Sequence, residues 1–247
     1  MHKLYFDNIF YSSENIKSLV EGEKSESDYD VFLLPHKYLD SNLGAMYKDV
    51  FSHIKDGRPI VFVSGLHNYN IGKSKFYTTE VISKALDGIE IDNALLEEEF
   101  SLELVYQVAK ETNSNSDLFS LFASLKDKDS INELSSLIKK IKKDKPDAAF
   151  IISGNFTSFE LPTIAGKQAK TLLELLKDKS PLKHPGNKKE ISGSAYKIIE
   201  AFRSAFDKQF ILSMSLNNDK LSYNCLEDNG GEIYHVSGVF IWYFHRG

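Results

Sequence analysis

The chain has 247 residues, 42% of them hydrophobic, enough for one large or two small domains around a substantial core. Its 30 Lys and Arg against 35 Asp and Glu make it mildly acidic, which argues against nucleic acid as a partner. A lone cysteine, Cys225, excludes an internal disulfide framework and a zinc ribbon, and it suits a reducing compartment.

No stretch approaches the roughly 20 apolar residues of a membrane span. Asp7 falls where a secretion signal needs an apolar run. A cytoplasmic protein with no membrane partner is therefore expected.

Residues 31–34 form a short apolar run stopped by Pro35, as buried strands are. Ser41 can cap a helix whose apolar positions Leu43, Met46, Tyr47, Val50, Phe51 and Ile54 share one face. Gly57 and Pro59 end it, and 60–64 is a second strand closed by Gly65. The stretch 68–93 is polar, with Gly72 and Gly88, and its pattern selects neither helix nor strand. A helix is predicted over 98–111, with Leu102, Val105 and Ala109 on one side, followed by a loop at 113–116.

Ser130-Ile131-Asn132-Glu133 is a capping-box pattern that opens a helix with Ile131, Leu134, Leu137, Ile138 and Ile141 inward. Its basic end, Lys139-Lys140-Ile141-Lys142-Lys143, complements the helix dipole. Residues 148–153 read as a third buried strand. A helix over 161–177 takes Pro162 in its first turn, and 180–189 is a loop. Another helix, over 194–206, turns Ala195, Ile198, Ile199, Phe202 and Phe206 inward. The end is all strand: 210–214, 221–225 and 233–244, the last apolar on both faces over 239–244 and so expected between layers. The alternation with a β-rich end predicts one α/β domain over 1–247, with a mixed central sheet flanked by helices.

His36 and His67 each follow one of the first two strands, in Leu34-Pro35-His36-Lys37-Tyr38 and Ser64-Gly65-Leu66-His67-Asn68. One helix joins those strands, so they are expected to be parallel neighbours with both imidazoles at the carboxyl edge, where open α/β sheets bind ligands. Imidazole is the commonest metal ligand, which makes the pair the candidate site. Each His alone equally fits an ordinary half-buried strand end. Glu99 and Glu103 stand at i, i+4 on one helical face, where a solvated face is the ordinary reading and a pocket lining the other.

Taken in order, these segments resemble the Memo family, which includes the B component of the AmmeMemoRadiSam set and shares the fold of class III extradiol dioxygenases. Phe10-Tyr11-Ser12-Ser13, followed by Leu19 and Glu21-Gly22, is similar to the family's opening aromatic-Tyr segment and first helix. Leu34-Pro35-His36-Lys37-Tyr38 resembles its Ala-Pro-His-Ala-Gly-Tyr, and Val63-Ser64-Gly65-Leu66-His67-Asn68 its Gly-Pro-Ser-His-His. Glu99-Phe100-Ser101-Leu102-Glu103-Leu104-Val105 is similar to Glu-His-Ser-Ile-Glu-Met-His. Ile152-Ser153-Gly154-Asn155-Phe156-Thr157-Ser158 sits where the family has a strand ending Ser-Ser-Asp-Phe-Ser-His. Ile191-Ser192-Gly193-Ser194-Ala195 looks like Ile-Cys-Gly-Arg-His, and Tyr234-His235-Val236-Ser237-Gly238 like a terminal Ser-Tyr-Ala-Ala-Gly strand.

The resemblance implies the extradiol-dioxygenase fold, a metal on His36 and His67, and Cys225 near the family's metal-associated Cys. It also implies a cleft lined by Asn68, Glu99, Glu103, Asn155, Ser158 and Ser192. The departures concern the chemistry. Phe100, Val105, Ser158 and Ala195 replace family histidines, Asn68 replaces the second His of the pair, Asn155 an Asp and Ser192 a Cys. Extradiol cleavage uses Fe(II) on two His and a carboxylate, with a further His as acid or base, and none of the family's other histidines is retained at its motif position. Two imidazoles and a thiolate suit zinc or copper better than catalytic iron.

Three readings result. One is a diverged Memo-like protein that holds a small-molecule or protein ligand in the old cleft, non-catalytic or weakly metal-binding. Another is a metal-dependent enzyme, dioxygenase-like or otherwise redox, using Fe, Zn or Cu on His36, His67 and Cys225. The last is a scaffold acting through its surface. The lost histidines favour the first. No organic cofactor is implied.

Overall fold

Strands that are apolar on both faces need a layer on each side, and the computed structural model supplies them. It describes residues 16–17, 20, 29–34, 41–66, 75–78, 89–92, 96, 99–154, 164, 167–168, 171, 195–206, 210–213, 222–228, 231–237 and 240–244, with backbone alone at 41–43, 90, 100 and from 210 onward. In chain order the elements are β1 (Val31–Leu34), α1 (Ser41–Ser52), β2 (Ile60–Gly65), β3 (Phe76–Thr78), β4 (Ile89–Ile91), α2 (Phe100–Thr112), β5 (Leu118–Ala123), α3 (Lys128–Asp144), β6 (Ala149–Ser153), α4 (Ala195–Phe206), β7 (Phe210–Ser213), β8 (Ser222–Asp228), β9 (Gly231–Ser237) and β10 (Phe240–Phe244). Among the described residues no helix is long and apolar enough to cross a membrane.

Eight strands form one mixed sheet in the order β4-β3-β5-β2-β6-β1-β10-β7. β5, β2, β6 and β1 run parallel; β3 and β10 close the two flanks antiparallel. The pleat sorts the core. Val31, Leu33, Val61, Val63, Phe150 and Ile152 turn to one face and pack with α3 and α4. Phe32, Leu34, Ile60, Phe62, Ile151 and Phe122 turn to the other and pack with α1 and α2. The result is the mixed α/β sheet with flanking helices that the alternation predicts.

Helical stripes settle the helices. Met46, Tyr47, Val50, Phe51 and Ile54 are all buried, as are Ile131, Leu134, Leu137, Ile138 and Ile141. Fully burying such side chains contributes about 1.5–3 kcal/mol each, far above any single cap. The cap of α3 nevertheless sits three residues before the expected start. Asp127 accepts the Ser130 backbone N–H at 2.8 Å, and the Ser130 hydroxyl lies 3.2 Å from the Asp127 N–H as its acceptor. Ser130 is thus the third helical residue, not the cap, because Asp is as good a cap as Ser and lies where the chain leaves β5.

Three further expectations change. β6 lies between β1 and β2, so the two His-bearing strands are parallel but not neighbours. A short crossover helix spans one strand or two equally well, and β6, buried along its whole length, takes the centre. β5 is a strand, buried along its length, where no strand is expected from the sequence. The run 233–244 is two strands, with β9 pairing β8 in a two-stranded sheet and β10 joining the main one between β1 and β7. The helix expected over 161–177 is described at 164, 167, 168 and 171, which are helical.

A buried cluster ties the amino edge of the sheet. Arg58, just before β2, donates from Nη2 to Asp30 Oδ1 at 2.8 Å, from Nη1 to the Tyr29 carbonyl at 2.5 Å and from Nε to the Asp147 carbonyl at 2.5 Å. One planar guanidinium thereby joins the starts of β1, β2 and β6. Nearby, Asp56 accepts from the Asn115 backbone N–H at 3.0 Å and the Ser116 hydroxyl accepts from Gly57 N–H at 3.1 Å.

Candidate functional site

A helix that leads into a parallel strand runs back along the sheet, so its N-terminus stands at the carboxyl edge. α1, α2 and α3 lead into β2, β5 and β6 in this way. β7 runs parallel to β1 through two antiparallel pairings, so the start of α4 reaches the same edge. β1 leads to α1 on one face, while α4 meets the end of β6 on the other. The carboxyl ends of adjacent strands whose partners lie on opposite faces are where open α/β sheets ordinarily form a ligand crevice.

The strand ends at this edge are in register. Leu34, Ser153 and Ser64 lie side by side across β1, β6 and β2, and Gly154 N–H donates to the Leu34 carbonyl at 3.0 Å. Leu66 N–H donates to Ala123 at 3.1 Å. With β6 between them, the ends of β1 and β2 are about 10 Å apart, two strand spacings. His36, His67, Asn68, Asn155, Ser158 and Ser192 lie outside the described residues. Pro35 and Leu66 are the next residues in sequence after these strands, and both strands end on this one edge. Cys225 lies in β8, paired with Tyr234 of β9, away from the main sheet's hydrogen-bonded ladder.

Glu99 and Glu103 belong to this edge and are enclosed, 3% and 0% exposed. Glu99 takes an extended backbone before α2, and its carbonyl accepts from Leu102 N–H at 2.9 Å and Glu103 N–H at 3.2 Å. The positive end of the helix dipole offsets part of the cost of two carboxylates there. The solvated helix face expected of an i, i+4 pair is overturned. Residues 101–106 are buried in succession, while Lys110, two turns below Glu103 on the same stripe, is exposed. One stripe is wet at the amino edge and covered at the carboxyl edge.

Ser101 adds an unexplained group. It is fully buried, and its hydroxyl has no hydrogen-bond partner among the described residues. Lying opposite the exposed stripe, it is directed to the sheet side of α2, where Ser64 and Ser153 are also buried. The Ser64 hydroxyl meets only the carbonyl of its own neighbour Gly65, at 3.2 Å. An unmade buried hydrogen bond costs about 1–3 kcal/mol, so native folds keep few of them outside functional or strained places. Ser101 stands between the two glutamates in the sequence, but no pattern in one sequence marks a hydroxyl as unpartnered.

On the other face the edge is shut by close packing. A Cβ at Gly154 would stand 2.7 Å from both the Cα and the N of Ala195 and 2.8 Å from its Cβ. α4 therefore begins backbone against backbone on the end of β6. Among the described residues no three His, Cys, Asp or Glu side chains gather as a metal-ligand group.

No family model and no curated protein matches the sequence. Among solved structures, the crystal structure of an uncharacterized protein from Escherichia coli K12 aligns over 86% of this chain and 99% of its own, at 12% sequence identity and a TM-score of 0.49.

Proposed function

We propose that the chain is a diverged Memo-like protein whose carboxyl-edge cleft holds a small polar ligand without redox catalysis, in the cytoplasm as its single cysteine suits. The observation that carries this reading is the enclosed Glu99–Glu103 pair at the start of α2, on the carboxyl edge of the sheet. Desolvating a carboxylate costs several kcal/mol, and a ligand that meets the pair would recover part of that cost. Carboxylates accept hydrogen bonds and favour cationic groups, so the ligand presents N–H donors to them. Absence of acid–base chemistry is supported by Phe100, Val105 and Ala195 at positions where the family resemblance places histidines.

The test is calorimetric titration of wild type and Glu103→Gln with a panel of small amines and matched carboxylic acids. Binding of an amine that weakens at least tenfold in Glu103→Gln is expected. Preference for acids, or affinity untouched by Glu99→Gln and Glu103→Gln together, overturns the reading. A protein segment as the ligand would appear as an amine-bearing peptide competing for the same variants.

A metal-dependent enzyme is the second reading, and one observation favours it: buried carboxylates stand on the edge to which the strands before His36 and His67 run. Two imidazoles and a carboxylate form the facial set of non-haem iron, and Cys225 is the alternative third ligand. Metal analysis of protein purified without a His tag, repeated on His36→Ala, His67→Ala and Cys225→Ser, decides between the two readings. Stoichiometric metal that survives dialysis in wild type, is lost in the histidine variants, and weakens below about pH 6 as imidazoles protonate would replace the first reading by the second.

A further inference from the structure

We draw no further inference here: the strongest candidate, the buried Glu99 and Glu103 pair at the start of α2 with the unpartnered Ser101 hydroxyl on the opposite stripe of that helix, belongs to the site already described, and nothing in the structure shows what covers it.

Discussion

At the amino edge of the sheet Arg58 sits between Asp30 and three backbone carbonyls, a positive charge met by a negative one with hydrogen bonds to spare. At the carboxyl edge two carboxyl groups, Glu99 and Glu103, are enclosed one helical turn apart, and on the opposite stripe of that helix the Ser101 hydroxyl has no partner among the described residues. Both edges bury ionisable groups. The first set neutralises itself and closes three strand starts, which is what a folding role requires. The second set gathers two enclosed carboxyl groups at the start of one helix, with the Ser101 hydroxyl on its opposite stripe unpartnered among the described residues. The contrast separates a structural polar cluster from a candidate site without reference to any relative.

The largest effect should come from breaking the amino edge. Arg58→Ala takes from buried Asp30 its 2.8 Å partner; the Lys142 ammonium stands farther off, at 3.9 Å. Removing one member of a buried pair costs about 3–5 kcal/mol, and urea unfolding should show that loss with unchanged slope. Arg58→Lys should recover only part of it, because an ammonium cannot reach three carbonyls and a carboxylate in one plane. A loss below about 1 kcal/mol would mean that the cluster is no tighter than a surface pair and would remove half of the contrast.

Next comes the packed side of the carboxyl edge. Gly154→Ala drives a methyl into the backbone of Ala195, and backbone cannot swing away as a side chain can. Overpacking of this kind costs about 1–3 kcal/mol. Hydrogen exchange should quicken in the first turn of α4 while α3 stays protected. Unchanged stability together with unchanged exchange would show that α4 is not seated on β6 as described.

The acid pair should behave in the opposite sense to Asp30. Asp30→Asn loses a charge-assisted bond and is expected to destabilise by about 1.5–3 kcal/mol. Glu103→Gln keeps the side chain's shape and one acceptor oxygen, and, if the pair serves a ligand, is expected to cost less than about 1 kcal/mol or to raise stability, as substitutions in binding sites commonly do. Equal destabilisation by the two variants, measured by the same urea titration, would make Glu103 a structural residue and undo the proposed role.

Much of this fold could be read from residues alone. The stripe Ile131, Leu134, Leu137, Ile138, Ile141 and the runs before Pro35 and Gly65 each have one physical solution, a helix with a buried face or a strand with two. β3 and β4 were illegible because three-residue strands carry too few residues for a period to show. β6 as the strand between β1 and β2 was illegible for another reason: strand order depends on which apolar run most needs the centre, a comparison across the whole chain. At the site, the i, i+4 spacing of Glu99 and Glu103 was visible but their burial was not, since what covers a helix stripe comes from elsewhere in the sequence. Arg58 and Asp30 carried no signal; their meeting depends on three strand starts converging.

The smallest effect at neutral pH concerns Tyr196, in the first turn of α4 beside the Gly154 contact. Burial above all, and then the Glu200 carboxylate, push its hydroxyl up from 10.0 to about 12, with Arg203 opposing. A folded-state value above the unfolded one means that the folded chain holds the proton longer. The stability tied to the neutral hydroxyl is therefore fully present below pH 10 and is lost as pH rises toward and through about 12. Tyr196→Phe cannot ionise, so its stability relative to wild type should be constant from pH 7 to 9 and should climb above pH 10. Other tyrosines and lysines titrate in that range, but they do so in both proteins and cancel in the difference. The amino-edge variant Arg58→Lys serves as the control, since Tyr196 remains in it and the alkaline loss should match wild type. A flat difference between Tyr196→Phe and wild type up to pH 11.5 would place the ring in water, and the carboxyl edge would then be open on the α4 side rather than closed by Gly154 and Ala195.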